Sequence, residues 1–393
     1  MATDTQRPAI LSAQTRPSLC FVAHFAYGAL QGGDGGHIGG VERQTSLMAR
    51  WFARRGYRVS MVTWDEGQAD GVEIDGVRVF KMCPQDAGLP GLRFLWPRWS
   101  SLNAALKRAD ADVYYHNCGE YVTGQVAFWC CRHGRKFVYS AASDPDCDAR
   151  LPEMTKLRER LLYRYGLKHA DRVIVQTRRQ QEMLRRGFGR DSVVVPMPCP
   201  GPSDAEYAAR QWNGSGQKRV LWIGRICEVK RPDLLLDLAQ ACPEVHFDVV
   251  GPIAETPYVR GVAERAKTMA NVTLHGPASR AQVSEFYENA PLMCCTSAFE
   301  GFPNTFLEAW SYGVPVVSTV DPDHLIAEKG LGHVGADCAE LAAGIRELLE
   351  TPELRRTASQ AARAYYAEVH AVDSAMAHFE RIVCGVGAVE RGA

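Results

Sequence analysis

Two glutamates eight positions apart, Glu300 and Glu308, enclose the segment Gly301-Phe302-Pro303-Asn304-Thr305-Phe306-Leu307. The apolar run Leu292 to Cys295 reads as a buried strand, Ser297 to Pro303 as the loop that leaves it, and the residues from about Asn304 as a helix. The first turn of a helix carries unpaired N–H groups and the positive end of the dipole, so it draws an anion such as a diphosphate. One carboxylate on the loop before that turn and one a turn inside it would flank the anion with acceptors for hydroxyl groups. A diphosphate between two hydroxyl-bearing groups is the outline of a nucleotide sugar. A second segment, Trp222-Ile-Gly224-Arg225-Ile-Cys-Glu-Val-Lys230, places two cations just past a strand end. Cations there suit a departing diphosphate.

These residues need elements to hold them. Ser18 to His24 predicts a first strand, Tyr27 to Gly40 a loop with seven glycines, and Val41 to Arg55 a helix with Leu47, Met48, Trp51 and Phe52 on one face. Arg58 to Thr63 is a second strand, so the chain opens as a parallel α/β unit. Further strands are expected at Asp112 to Tyr115, Lys136 to Ser140, Arg172 to Gln176 and Val193 to Pro196. Pro196, Pro198, Pro200, Gly201 and Pro202 then mark a linker. A second series runs through Arg219 to Ile223, His246 to Val250, Val272 to Leu274, Leu292 to Cys295 and Val314 to Ser318. Ala336 to Val383 reads as helical. The fold class is α/β, with two domains of nearly equal length: residues 18–200 and 201–374, after a loose tail at 1–17. A last helix, about 375–393, is placed to return to the first domain. Ligands of such sheets sit off the carboxyl ends of the strands, so two facing sheets make a cleft.

Bulk properties agree with a soluble pair of domains. Its 393 residues exceed what one core of ordinary size supports, and its composition, 46% hydrophobic and 23% charged, is that of a soluble globular protein. No apolar run is long enough to span a bilayer, and the polar start predicts no signal peptide. Thirteen scattered cysteines without Cys-x-x-C spacing read as buried thiols of a reducing cytosol. Lysines and arginines outnumber acids by 8 in residues 1–200, and the reverse holds in 201–393. Arg93-Phe-Leu-Trp96-Pro-Arg98-Trp99, with a helix carrying Lys156, Arg158, Arg160, Arg164 and Lys168 beside Leu157, Leu161, Leu162 and Tyr165, has the pattern of a face that lies on anionic lipid. The competing reading is a charged helix face over the core. A cytoplasmic protein, peripheral on the inner face of the membrane, follows from the first reading. No nucleic-acid partner is expected.

The chain resembles the family 4 retaining glycosyltransferases, which have the GT-B fold. Four ordered motifs carry the resemblance: Gly39-Gly40-Val41-Glu42-Arg43, Ala170-Asp-Arg-Val-Ile-Val-Gln-Thr177, Gly224-Arg225 with Lys230, and Glu300 with Glu308. It implies two Rossmann-like domains facing across a cleft, the first for the acceptor and the second for a UDP- or GDP-sugar donor. If the basic amphipathic face does lie on lipid, the acceptor expected is a glycan or lipid-linked intermediate, as in polysaccharide or glycolipid assembly. Glu300 would contact donor sugar hydroxyls and Glu308 the ribose diol, while Arg225 and Lys230 would stabilise the leaving diphosphate. Asn304, Thr305 and Phe306 would offer backbone N–H groups, with Gly301, Phe302 and Pro303 shaping the loop. Gly39 and Gly40 would let the first loop approach the phosphates. Gly251-Pro252 and His275-Gly276-Pro277 fall where the family's base-binding segments lie.

One departure concerns the histidine that the family often carries after the strand here spanning Phe137 to Ser140. This chain reads Ser140-Ala141-Ala142-Ser143-Asp144 at that place. Asp144 or Ser143 would have to substitute, or His116 would have to reach in from the neighbouring strand end. His116 is equally readable as a hydrogen-bonded structural histidine. No metal or other cofactor is expected: Asp110-x-Asp112, Asp144-x-Asp146 and Asp321-x-Asp323 match a metal-binding triplet that arises easily by chance. Three other readings remain: a nucleotide-sugar epimerase or hydrolase of the same fold, a non-catalytic sugar-nucleotide binder, and a nicotinamide-dependent oxidoreductase. The last is disfavoured, because the glycines start too late after the first strand for the dinucleotide turn.

Overall fold

The computed structural model describes residues 16–33, 39–209 and 218–388. Most of the expected tail, and part of the glycine-rich loop, lie outside these. Eight strands form the first sheet: β1 (Leu19–Val22), β2 (Val59–Thr63), β3 (Val72–Ile74), β4 (Val77–Lys81), β5 (Val113–Asn117), β6 (Lys136–Ser140), β7 (Arg172–Val175) and β8 (Val193–Val194). Their order is β3-β4-β2-β1-β5-β6-β7-β8, parallel except for β3 against β4. Six strands form the second: β9 (Arg219–Ile223), β10 (His246–Val250), β11 (Val272–Gly276), β12 (Met293–Cys295), β13 (Val316–Ser318) and β14 (Gly332–Val334). Their order is β11-β10-β9-β12-β13-β14, all parallel. Parallel central strands are covered on both faces, which is why β1, β2 and β5 are buried throughout their length.

The hairpin β3–β4 and the edge strand β14 go beyond the strands expected from the sequence. Asp75 and Gly76, at φ of 49° and 79°, make the tight turn between β3 and β4. The short helix Tyr27–Leu30 lies inside the segment read as a glycine-rich loop; its Leu30 is fully buried. The helical C-terminal stretch resolves into Cys338–Glu350, Pro352–Tyr365 and Val372–Ala388.

Helix Val372–Ala388 crosses back to the first sheet. Met376, Phe379 and Val383 are buried in the core formed by Phe21, Phe52, Tyr115 and Ile174. Trp51 Nε1 donates to Asp373 at 2.7 Å, and Tyr57 donates to Glu380 at 2.7 Å. A second tie joins the domains near the strand ends, where the backbone amides of Arg178 and Arg179 donate to the Asp323 carboxylate at 2.7 and 3.2 Å. The carboxyl ends of the two sheets meet at this seam.

Candidate active site

On the C-terminal side, two loops are bonded to each other before any side chain reaches the cleft. Ala298 donates to the Val229 carbonyl at 2.8 Å, and Thr296 Oγ1 donates to the Lys230 carbonyl at 2.7 Å. Trp222 Nε1 in turn donates to Thr296 Oγ1 at 3.0 Å. The turn Glu228–Lys230 is thereby fixed against the loop after β12, and Lys230 Nζ forms an ion pair with Glu300. Arg225 is exposed at the end of β9. The loop after β10 is equally close. A Cβ on Gly251 would stand 1.9 Å from the Gly224 carbonyl oxygen, so only glycine fits there. Gly251 N donates to the Gly276 carbonyl at 2.8 Å, and Pro252 accepts from Ile226 at 2.9 Å.

Helix Asn304–Ser311 buries Phe306, Leu307 and Trp310 and turns Glu308 the other way. Glu308 opens into a cavity of about 520 Å³ shared by both domains, with Gly39, Gly40 and Arg43 on one side and Arg280 and Asn304 on the other. Burial raises the Glu308 carboxyl pKa, opposed by Arg280, by the Tyr287 hydroxyl that donates to it at 3.1 Å, and by Arg43. Glycine at position 40 leaves room for Asn304: a Cβ there would lie 2.4 Å from Asn304 Nδ2. Gly39 N donates to Glu42 Oε2 at 2.9 Å, which caps the helix Gly40–Arg54.

On the N-terminal side, the ends of β1, β5 and β6 bring together His24, His116, Glu120 and Asp146. His116 Nδ1 is 2.8 Å from the Val22 carbonyl, and its Nε2 is 3.5 Å from Glu120 Oε1. His24 Nδ1 is 3.8 Å from the same oxygen, and its ring packs on Trp64. Burial, with the nearby charges of His116 and Arg98, lowers the His24 pKa to about 3. Burial lowers His116 to about 4, against the pull of the Val22 carbonyl. Desolvation and the charges of Asp146 and Glu42 push Glu120 up to about 7. Asp146 is raised to about 6 by burial, although Ala142 N (2.7 Å) and Ser143 N (3.2 Å) donate to it. Cys118, between His116 and Glu120, has φ of 93°, a strained backbone for a side chain with a Cβ. Gly301 joins the two sides: a Cβ on it would approach Ser143 Cα at 3.3 Å.

Some expected residues face elsewhere. His275 Nε2 is 2.8 Å from Asp248 Oδ1, and the ring packs edge-on to Phe286. Asp248 is the middle residue of β10 and is also paired with Arg219, so the His275 ring is turned back along the sheet. Only the backbone of His275-Gly276-Pro277 is left to serve a base. The Phe306 amide is occupied by the Pro303 carbonyl at 3.0 Å, and its ring is fully buried against Trp310. Asn304 and Thr305 therefore remain as the amides of that helix start. Phe302 packs on Trp310 and His370. Asp144 accepts from Gln180 Nε2 at 3.1 Å and pairs with Arg179 at 3.1 Å, so both of its oxygens are engaged. Asp110 and Asp112 serve Arg135 and Ser18. His24, Glu120 and Arg280 were not singled out in the sequence, and Arg43 only as the last residue of the Gly39–Arg43 motif. His116-Asn-Cys-Gly-Glu120 is a readable signal for one of them, a carboxylate four residues past a strand-end histidine.

Comparison with known proteins agrees with this architecture. Residues 205–365 match the model of the glycosyl transferases group 1, and residues 39–200 match that of the glycosyl transferase 4-like domain. The chain is 27% identical to the D-inositol 3-phosphate glycosyltransferase of Mycolicibacterium smegmatis, over 97% of this chain and 93% of that one. Among solved structures it is similar to sucrose-phosphate synthase from Thermosynechococcus elongatus, with a TM-score of 0.77, 18% identity, and coverage of 95% of this chain and 100% of that one. It is also similar to Anabaena HepE in complex with UDP and glucose, with a TM-score of 0.71, 20% identity, and coverage of 93% and 99%. The two facing parallel sheets are the GT-B fold, and the chain belongs to the group 1, family 4-type glycosyltransferases.

Proposed function

We propose that this enzyme moves a sugar from a UDP- or GDP-sugar to an acceptor hydroxyl with retention of anomeric configuration. The observation that carries the reading is the Lys230–Glu300 ion pair beside a helix start whose Glu308 opens into a cavity shared by both domains. In this reading the diphosphate lies at the Asn304 and Thr305 amides, between Lys230 and Arg225. Glu308 accepts from the ribose diol, and Glu300 from the sugar hydroxyls while holding the Lys230 ammonium in place. The bond from the anomeric carbon to the phosphate oxygen breaks, and the bond to the acceptor oxygen forms on the same face. The acceptor proton passes to the departing diphosphate, so no protein base is required. Charge builds on the diphosphate, where fixed cations and amides stabilise the transition state more than the ground state. Two cations and a helix start supply that charge without a metal ion. The structure of HepE with UDP and glucose supports the donor class.

The acceptor we propose is a glycan or lipid-linked intermediate, met at the face of an anionic membrane. Leu89, Leu92, Leu95 and Trp96 are 60–70% exposed, and Leu157 and Leu161 on the neighbouring helix are 71% and 59% exposed. The Arg158 guanidinium stands 4.4 Å from the Phe94 ring centroid and makes the two segments one surface. An exposed apolar face with arginines around it suits a lipid interface. Among the described residues, no helix is long and apolar enough to cross a membrane.

A thermal-shift panel with UDP, GDP, ADP and CDP, with and without EDTA, tests the donor assignment. One nucleotide is expected to stabilise the chain, by about 2.7 kcal/mol at a hundred times its dissociation constant, whether or not EDTA is present. Stabilisation by none, or loss of the effect with EDTA, would overturn the metal-free nucleotide cleft.

A further inference from the structure

A cavity of about 260 Å³ lies between helices Ser100–Ala109 and Tyr121–His133, and none of its lining residues belongs to the cleft. Asn103, Ala104 and Lys107 line one side, and Phe128, Arg132 and His133 the other. Lys107 and Arg132 each stand in the last turn of a helix, where a cation meets the carbonyl end of the dipole. That accounts for their presence but not for their convergence on one cavity. Their neighbours Arg108 and Arg135 pair with Asp70 and Asp110. Among the described residues no carboxylate pairs with Lys107 or Arg132, and no acid lines the cavity. The Arg132 guanidinium lies over the Phe128 ring, 5.8 Å from its centroid.

Two cations facing a cavity without an acid suit an anion with several oxygens. The cavity also lacks a donor. Asn103 Oδ1 is buried and has no hydrogen-bond partner. A buried acceptor in that state costs free energy until a ligand supplies the donor. The His133 ring stacks on Trp129 at 4.3 Å, and its Nδ1 is 2.8 Å from the Trp129 carbonyl, which leaves Nε2 for a ligand. A phosphate ester with a free hydroxyl meets both needs, whereas a bare carboxylate meets only the first. The surroundings say what the ester is attached to. Phe128, 39% exposed, packs on Trp99 at 6.1 Å, and Trp99 packs on Phe94 at 5.8 Å. These rings lead from the cavity to the exposed apolar face of Trp96, Leu157 and Leu161. An amphiphile with its head in the cavity would lay its chains on that face.

We propose that this groove binds the headgroup of an anionic phospholipid, a phosphodiester carrying a free hydroxyl, with the phosphate at Lys107 and Arg132 and the hydroxyl donating to Asn103. This rests on the membrane reading of the neighbouring apolar face and adds the class of headgroup. Flotation of the full chain would compare phosphatidylcholine vesicles holding equal fractions of phosphatidylglycerol or of phosphatidylmethanol, which has the same charge and no headgroup hydroxyl. Short-chain phosphatidylglycerol below its micellar concentration, followed by ligand-observed NMR, would probe the groove without a bilayer, with glycerol 3-phosphate as the free phosphate ester. Wild type is expected to prefer phosphatidylglycerol vesicles by roughly fivefold, and Asn103→Ala should erase that preference. Lys107→Gln with Arg132→Gln should weaken short-chain lipid binding by roughly tenfold or more. Both side chains are exposed, so the unfolding midpoint of this double variant should match wild type. Equal binding of the two headgroups by wild type, no binding of the short-chain lipid, lipid binding unaltered in the double variant, or glycerol 3-phosphate bound as tightly as the lipid would overturn the proposal. Short-chain lipid in the groove with no flotation supports the groove and counts against the membrane reading instead. Flotation equal in wild type and the double variant, but lost in Trp96→Glu with Leu157→Glu, would overturn the groove and leave the membrane reading standing.

Discussion

Lys230 and Glu300 form an ion pair that makes each dependent on the other, and in the proposed reading the pair helps to stabilise a leaving diphosphate. Lys230→Met should lower the rate of nucleoside diphosphate release from the donor by about a hundred- to thousandfold, the usual cost of one transition-state donor. It also strands the Glu300 carboxylate, whose side chain is only 16% exposed. Urea unfolding should show a loss of about 1–3 kcal/mol for Lys230→Met, partly recovered in the double variant with Glu300→Gln. Equal stabilities would mean that the ion pair is not formed. Glu120 gives a pH signature. Its folded pKa, about 7, lies above its unfolded value, so the folded state binds the extra proton between roughly pH 4.5 and 7. That contribution to stability is present at low pH and is lost as pH rises through this window. Glu120→Gln should therefore gain stability on wild type from about pH 5 to 7, by on the order of 1 kcal/mol once screening by the water reaching this partly exposed side chain is allowed for. A difference that is flat with pH would refute the raised pKa. The placement of Glu300 and Glu308 on a strand-loop-helix frame, and of Arg225 and Lys230 just past a strand end, was legible from spacing and apolar runs. His24 and Arg280 were not, because their partners are remote in sequence: His24 meets Glu120, and Arg280 acts on Glu308.

At the scale of elements, the alternation of strands and helices was readable from apolar runs and glycine or proline breaks. Every expected strand exists within a few residues. The hairpin β3–β4 was missed although Asp75-Gly76 between valine-rich runs is a turn signal, since both strands are short. The direction of the His275 ring was not legible, because it depends on Asp248 one strand away. Helix packing beneath the apolar face depends on two glycines that face one another's helices. A Cβ on Gly124 would stand 2.1 Å from the Leu162 carbonyl oxygen, and one on Gly166 2.7 Å from the Thr123 carbonyl carbon. Backbone meets backbone there, so neither neighbour can step aside. Gly124→Ala should cost about 1–3 kcal/mol in chemical denaturation, with Gly134→Ala as a solvent-side comparison that reports backbone strain alone. A Gly124→Ala chain as stable as wild type would mean that helices Tyr121–His133 and Leu157–His169 sit further apart.

In the proposed reading the whole molecule joins three surfaces: a nucleotide side, an acceptor side and an exposed apolar face on the N-terminal domain. The face predicts behaviour beyond the cleft. In flotation with anionic vesicles the chain should rise at low salt, less so at high salt, and Trp96→Glu with Leu157→Glu should abolish it. No binding to anionic vesicles at low salt would remove the membrane from the account. Two domains were legible from the proline-rich linker at 196–202. Their closure was not, because Gly301 against Ser143 and Asp323 against Arg178 pair residues more than a hundred positions apart. The central claim is that a nucleoside diphosphate sugar binds at Lys230, Glu300 and Glu308. Calorimetric titration of wild type, Lys230→Met and Glu308→Ala with UDP and with GDP tests it most directly. One nucleotide should bind wild type, and each substitution should weaken it roughly tenfold or more. Binding of neither nucleotide, or variants that bind as tightly as wild type, would contradict it.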